Sequence, residues 1–247
     1  MCVKMIPVYY DLHIHSALSP CASDEMTPND IVGMALLNGL DLIAVTDHNS
    51  FSNSEAVINA AQAAKNKAGK ELIVLPGAEI STVEEAHVVC LFSNLDSAMN
   101  FEAELTPYYS TISNRIDIFG NQTLYDENDR IIGEVERMLI APTSISFDDL
   151  HSLVNKYHGA FIPAHIDRSS FSVISNLGFI PPHLEINTIE ISPIGMENGF
   201  DVHRADMFVG KKPVFSSDAH QLWVISERKK YLSLPNLTAE AAIDFLR

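Results

Sequence analysis

The sequence predicts an α/β chain whose strands run parallel, in an open sheet or a closed barrel. Three observations carry this. Apolar, strand-length runs alternate with helix-length segments along most of the 247 residues. Several of those runs, such as Leu42-Ile-Ala-Val45, are continuously apolar, as in strands buried on both faces. Three of the runs close on groups able to do chemistry: Asp11-Leu-His13-Ile-His15, Thr46-Asp47-His48-Asn49 and Ser217-Asp218-Ala-His220.

The elements follow in order. Val8-Tyr9-Tyr10 leads into His13 and His15, which share a strand face at a spacing of two. After a loop, Thr27 caps and Pro28 opens a helix to Leu37, stopped by Asn38-Gly39. Asp41–Ser50 is a buried strand ending at Asp47 and His48, and a helix from about Ser54 to Ala68 stops at Gly69. Glu71–Ser81 is a third strand that carries Glu79 at its end. Ala86–Phe92 is a fourth, with His87 near its start. Leu95 to about Ser110 reads as helix. Residues 112–143 leave the alternation as an irregular insertion with a hairpin around Asp126–Asn128, read as decoration in preference to a lid. Ser144 or Ser146 caps a helix through Tyr157, ended by Gly159. Ala160–Arg168 is a strand closing on His165, Asp167 and Arg168. Thr188–Ser192 and Lys212–His220 follow as strands, and Thr238 caps a last helix. No repeat, low-complexity tract or linker appears, so residues 1–247 are expected to form one domain.

Composition narrows the function classes. No apolar run of 18 or more residues is present, which excludes a transmembrane helix, and the start reads as a first strand rather than a signal peptide. Cys2, Cys21 and Cys90 are few, odd in number and widely spaced, which points to a reducing cytoplasm rather than a disulfide framework. A net charge of −16 repels nucleic-acid backbones and anionic lipid, so neither a membrane nor a long nucleic acid is expected as a partner.

In a parallel α/β fold the C-terminal strand ends gather on one face, where sites are built. His13, His15, His48, Glu79, His87, His165, Asp218 and His220 would converge there. That is too many nitrogen and carboxylate donors for one ion and suggests two or three. Imidazole with carboxylate suits Zn, Mn or Fe, and a carboxylate such as Glu79 can bridge two of them. Asp47 either orients His48 or caps a turn, and Asp11 is read as holding a histidine tautomer. His151, His158, His183 and His203 are read as structural or surface residues.

Asp11-Leu-His13-Ile-His15-Ser16, Thr46-Asp47-His48-Asn49, Gly77-Ala-Glu79, Ala164-His165 and Ser217-Asp218-Ala-His220, in this order, resemble the four-motif signature of the PHP (polymerase and histidinol phosphatase) superfamily. The resemblance implies a distorted (β/α)7 barrel with a cluster of two or three divalent ions and phosphoesterase chemistry. It implies that His13, His15, Glu79 and Asp218 hold one ion, that Glu79, His87 and His165 hold a second, and that His48 and His220 hold a third. Relatives often place a His or Asp in the short loop after the second histidine, where this chain has Pro20. Asp24 is the substitute candidate, with Cys21 behind it. Many relatives carry an arginine near the third motif, and Arg168 fits as a forked clamp on a phosphate.

The expected activity is hydrolysis of a phosphomonoester. Arg168 would hold the non-bridging oxygens, and Asp218 and His220 would stand at the reacting centre, with His220 or His48 as proton donor only if free of metal. A small phosphorylated substrate is preferred, and trimming of oligonucleotide ends is the alternative. A non-catalytic regulatory domain is a further class, set back by the lack of a polymerase region in the chain. Carbon–nitrogen hydrolysis, which similar HxH barrels perform, is disfavoured because no lysine stands at a strand end to bridge metals.

Overall fold

The computed structural model describes residues 4–200 and 206–247, so His203 lies outside the described residues. Ten strands and eight α-helices are described: β1 (Ile6–Ile14), α1 (Pro28–Leu37), β2 (Leu42–Val45), α2 (Ser54–Ala68), β3 (Ile73–Ser81), β4 (His87–Leu91), α3 (Leu95–Leu105), α4 (Ile116–Phe119), β5 (Thr123–Tyr125), β6 (Ile131–Glu134), α5 (Phe147–Lys156), β7 (Ala160–Pro163), α6 (Val173–Leu177), β8 (Thr188–Ile191), α7 (Pro193–Glu197), β9 (Lys212–Phe215), β10 (Tyr231–Leu234) and α8 (Ala239–Leu246).

The helix starts have local causes. Thr27, Ser146 and Thr238 sit in extended conformation and accept a hydrogen bond from the backbone N–H three residues on, with Pro28 at the first position of α1. Asn53 precedes α2 without capping it; its side chain is engaged elsewhere. The helix predicted to reach Ser110 stops at Leu105, where Thr106-Pro107-Tyr108 tightens into a 3₁₀ turn.

One sheet runs β10-β1-β2-β3-β4-β7, and β8 and β9 form a separate parallel pair. The sheet curls until the two meet. Ile166 N–H donates to Glu190 O at 3.0 Å beyond β7, and Ile14 at the end of β1 bridges Ala219 beyond β9. The strands are not all parallel, contrary to expectation. β1, β2 and β3 are, but β4 is antiparallel to both β3 and β7. The cause is the connection: only Thr82–Ala86 separate β3 from β4, and a parallel return needs a crossover of at least about ten residues. The hairpin expected in the insertion is β5–β6, closed over Asp126–Arg130. The short edge strand β10 and helices α6 and α7 lay outside the sequence expectations.

Inside the curl, Val8, Tyr10, Leu12, Leu42, Ala44, Leu75, Val89, Leu91, Ile162 and Val214 form one buried cluster with Ala242, Ile243 and Leu246 of α8. Residues of the opposite parity pack outward. Ile43 and Val45 join α1 and α2; Val88, Cys90 and Phe161 join α3 and α5. Each such Leu, Ile or Phe withdrawn from water contributes roughly 1.5–3 kcal/mol. No described helix is long and apolar enough to cross a membrane.

Candidate metal centre

Strand parity and three backbone departures aim the polar groups inward. On β1, Val8, Tyr10 and Leu12 face the interior, so plain alternation would send His13 outward. The β1–β2 register shifts between Asp11 and Ile14, and past that point Ile14 packs outward while His13 and His15 are fully buried. On β2 and β3 no such device is needed, because the parity of Ala44 leads to His48 and that of Leu75 leads to Glu79. On β4 the parity of Val89 leads back to His87. Because β4 is antiparallel, His87 stands at an N-terminal strand end and still reaches the same face as the C-terminal ends of its neighbours. Past β7, Ala164 faces inward and His165 turns at φ +30°; past β9, Asp218 turns at φ +52°. Positive φ outside glycine costs on the order of 1–3 kcal/mol, and here two such residues carry site groups.

Glu79, 1 % exposed, is the hub. Its Oε1 faces His87 Nδ1 at 2.9 Å, His165 Nε2 at 3.1 Å and His13 Nε2 at 3.4 Å. Its Oε2 faces His48 Nδ1 at 3.0 Å and His15 Nε2 at 3.5 Å. Asp218 Oδ1 lies 3.2 Å from His15 Nε2 and 3.4 Å from His13 Nε2. His15, His48 and His220 make a further convergent group, and the His15 and His220 rings stack with centroids 4.3 Å apart.

The histidine tautomers favour metal binding. His13 donates Nδ1–H to Glu190, whose oxygens lie at 2.9 and 3.1 Å, which turns its Nε2 inward. Ser19 Oγ donates to Asp47 Oδ1 at 2.7 Å and accepts from His15 Nδ1–H at 2.9 Å, so the inward nitrogen of His15 is bare. Those two Nε2 atoms stand 3.1 Å apart, a distance that a proton bridges in the metal-free protein and that two nitrogens on one ion also give. Donors around an ion at about 2.1 Å are themselves about 3.0–3.4 Å apart in octahedral or tetrahedral geometry, the spacing found around Glu79 and Asp218. His165 Nδ1 is buried without a hydrogen-bond partner. The residues therefore fit a cluster of divalent ions, and the mixed nitrogen and oxygen set suits Zn, Mn or Fe over Ca or Mg.

Electrostatics agree. Burial and the neighbouring His220 and His48 push the His15 pKa well below its usual value, keeping it neutral. Burial pushes the Glu79 carboxyl up, but His87 and His13 outweigh it and hold it well below the usual range. Burial likewise opposes His13, yet Glu190, Asp218 and Glu79 raise it well above its usual value, so without metal a proton sits among these carboxylates.

Not every predicted residue joins the cluster. Asp24 is exposed on its loop and belongs to none of the convergent groups. Cys21 lies closer. The loop is pinned by Ser23 N–H donating to His220 O at 2.9 Å, and although desolvation raises the thiol of Cys21, which is exposed by surface area, the neighbouring His220 and His48 bring it down to about 7. Asp47 orients neither His48 nor a metal. It accepts from Ser16 and Ser19 and so fixes His15 through Ser19. Asp11 does not hold a histidine tautomer; it accepts from the N–H groups of Ser217 and Ser226 and ties β1 to the chain after β9. Arg168 stands at the rim, 41 % exposed, with Nη2 2.7 Å from Asp218 Oδ2. His151 lies against Asn155 and Glu185, His158 turns the chain after α5 at φ +56°, and His183 pairs with Asp148 at 2.7 Å. Sequence reasoning missed Glu190. Its one signal was a carboxylate between Ile189 and Ile191 in a strand too apolar to leave it solvated.

A model of the PHP domain family matches residues 11–167. Among curated proteins, the 5'-3' exoribonuclease Rnm of Salmonella typhimurium is 38 % identical over 93 residues, 37 % of this chain and 29 % of that protein. Among solved structures, the lesion-specific endonuclease PfuEndoQ from Pyrococcus furiosus superposes with a TM-score of 0.67 at 17 % identity, covering 98 % of this chain and 56 % of that one. Endonuclease Q in complex with a 27-mer duplex substrate bearing an abasic lesion gives 0.58 at 17 %, covering 88 % and 50 %. The chain thus spans less than a third of the exoribonuclease and about half of the endonuclease.

Proposed function

The chain belongs to the PHP domain family, and on that footing we propose that it is a metal-dependent phosphoesterase that trims nucleotides from the ends of short single-stranded nucleic acids. The observation that carries this is the placement of Glu79, whose two oxygens face different sets of imidazoles, in a cluster whose Asp218 pairs with the rim arginine Arg168. His13, His15, Glu79 and Asp218 would hold one ion, Glu79, His87 and His165 a second, and His48 and His220 a third. Divalent ions in such a site supply a water of lowered pKa and offset charge on phosphoryl oxygens.

The chain's own groups do the rest. Arg168 exchanges Asp218 for the non-bridging oxygens of the phosphate, which its planar fork matches. Glu190 and Ser19 turn one ring nitrogen each of His13 and His15 inward, toward the ion they would hold. His220, 29 % exposed and the most open of the clustered imidazoles, donates Nδ1–H to Asp218 O at 2.9 Å, which leaves its other ring nitrogen to ligate.

The sequence alone favoured a small phosphorylated substrate. Two similar proteins whose names state action on nucleic acid shift the preference to oligonucleotide ends. The charge of −16 continues to weigh against long duplexes. The test uses end-labelled oligonucleotides beside a panel of small phosphomonoesters, with Mn or Zn and after chelation. Chelator-sensitive shortening from one end supports the proposal. Intact oligonucleotides beside phosphomonoester hydrolysis would overturn it in favour of the small substrate.

A further inference from the structure

Phe171 is an outlier in three respects at once. It is a bulky residue at φ +57°, a conformation that an aromatic side chain adopts only at a cost of about 1–3 kcal/mol. It is 49 % exposed, so burial of its ring does not offset that cost. Its ring also stacks on His87, with centroids 5.0 Å apart and planes at 25°.

The turn that carries it is tied down on both sides. His87 N–H donates to Phe171 O at 2.9 Å, Arg168 N–H donates to His165 O at 2.9 Å, and Ser172 Oγ donates to Arg168 O at 2.8 Å. One short segment thus presents the rim cation and an aromatic ring beside the same cluster. A chain of net charge −16 gains little affinity for a polyanion by neutralising its backbone. Stacking supplies affinity for single strands without that requirement, because every base has a π-face.

We propose that Phe171 is the stacking platform for a nucleobase adjoining the scissile phosphate, which Arg168 of the same turn holds. This rests on the nucleic-acid reading above. A hydrophobic cover for His87 alone would explain the stacking but needs neither the exposure nor the tie to Arg168.

The experiment compares a 5′-phosphorylated tetranucleotide with counterparts made abasic at the nucleotide on either side of the cleaved bond, using the metal-loaded protein. The wild type should favour the complete substrate in kcat/KM by about tenfold over one of the two abasic forms. Phe171→Ala should erase that preference, and Phe171→Trp should restore it. Binding is read separately in the metal-free protein, through quenching of 2-aminopurine placed in turn at each position of the tetranucleotide. Quenching that needs an aromatic residue at 171 supports the platform even if no cleavage occurs, in which case the hydrolase reading alone fails. Equal use of complete and abasic substrates by the wild type would overturn the inference. So would a preference that survives in Phe171→Ala.

Discussion

Glu190 and Glu79 perform different tasks with the same side chain. Glu79 lies among five imidazoles, whereas Glu190 touches His13 from behind and sets which nitrogen faces inward. Glu190→Gln should therefore leave the fold intact and weaken metal binding about 10–100-fold, measured by competition with a chromogenic chelator. Unchanged affinity would mean that the tautomer of His13 is fixed by something else. Protons provide a second check at this scale. His48 is opposed by burial but raised to about 10 by Cys21 and Glu79, and His13 is raised well above its usual value. Both are protonated at neutral pH without metal and must lose that proton to become ligands. Apparent affinity should then rise with pH, with about two protons released per loaded centre near pH 7. Calorimetry in buffers of different ionisation enthalpy measures that release; buffer-independent heats would contradict it.

The insertion shows what an element can do that its sequence does not announce. Residues 112–143 read as irregular because Gly120, Asn121, Asp126, Asn128 and Gly133 interrupt any period. In the folded chain they bind the loops that carry the site. Asn53, buried, donates to Ser16 Oγ at 3.0 Å and Thr123 O at 3.1 Å and accepts from Tyr125 N–H at 3.1 Å. Asn49 donates to Leu139 O and Ala141 O. Asn53→Ala strands several buried partners and should destabilise the chain by about 3 kcal/mol in denaturant unfolding. A loss under about 0.5 kcal/mol would show the insertion to be decoration after all. On β3, a methyl group at Gly77 would lie 2.6 Å from Leu91 Cδ2 and 2.9 Å from Thr46 Cγ2. Gly77→Ala should cost about 1–3 kcal/mol in the same assay. Legibility differed by element for physical reasons. The site stood out because HxH, TDHN and SDAH close three separate apolar runs, although an HxH pair alone is weak. Glu190 sat singly on a four-residue strand with no spacing to mark it. The direction of β4 was legible but not drawn: the third and fourth strands as read, Glu71–Ser81 and Ala86–Phe92, leave too short a connection for a parallel return.

At the scale of the molecule, donors distant in sequence meet because the sheet curls. Ile14 bridges Ala219, and His13 of β1 touches Glu190 of β8. That His13 and His15 share a strand face was readable from their spacing, but which parity turns inward was not, because runs such as Leu42–Val45 are apolar throughout. The register shift in β1 and the positive φ of His165 and Asp218 were not, since they arise from pairing and closure rather than from local preference. The centre concentrates carboxylates that only cations can offset, so the central claim concerns ions bound per folded chain. Metal content by plasma mass spectrometry, wild type against Glu79→Gln with folding verified by circular dichroism, tests it most directly. More than one ion per wild-type chain, and the loss of more than one in the variant, is the predicted result, because one carboxylate serves several donor groups. A wild type with one ion or none, or a Glu79→Gln protein that keeps its full complement, would contradict it.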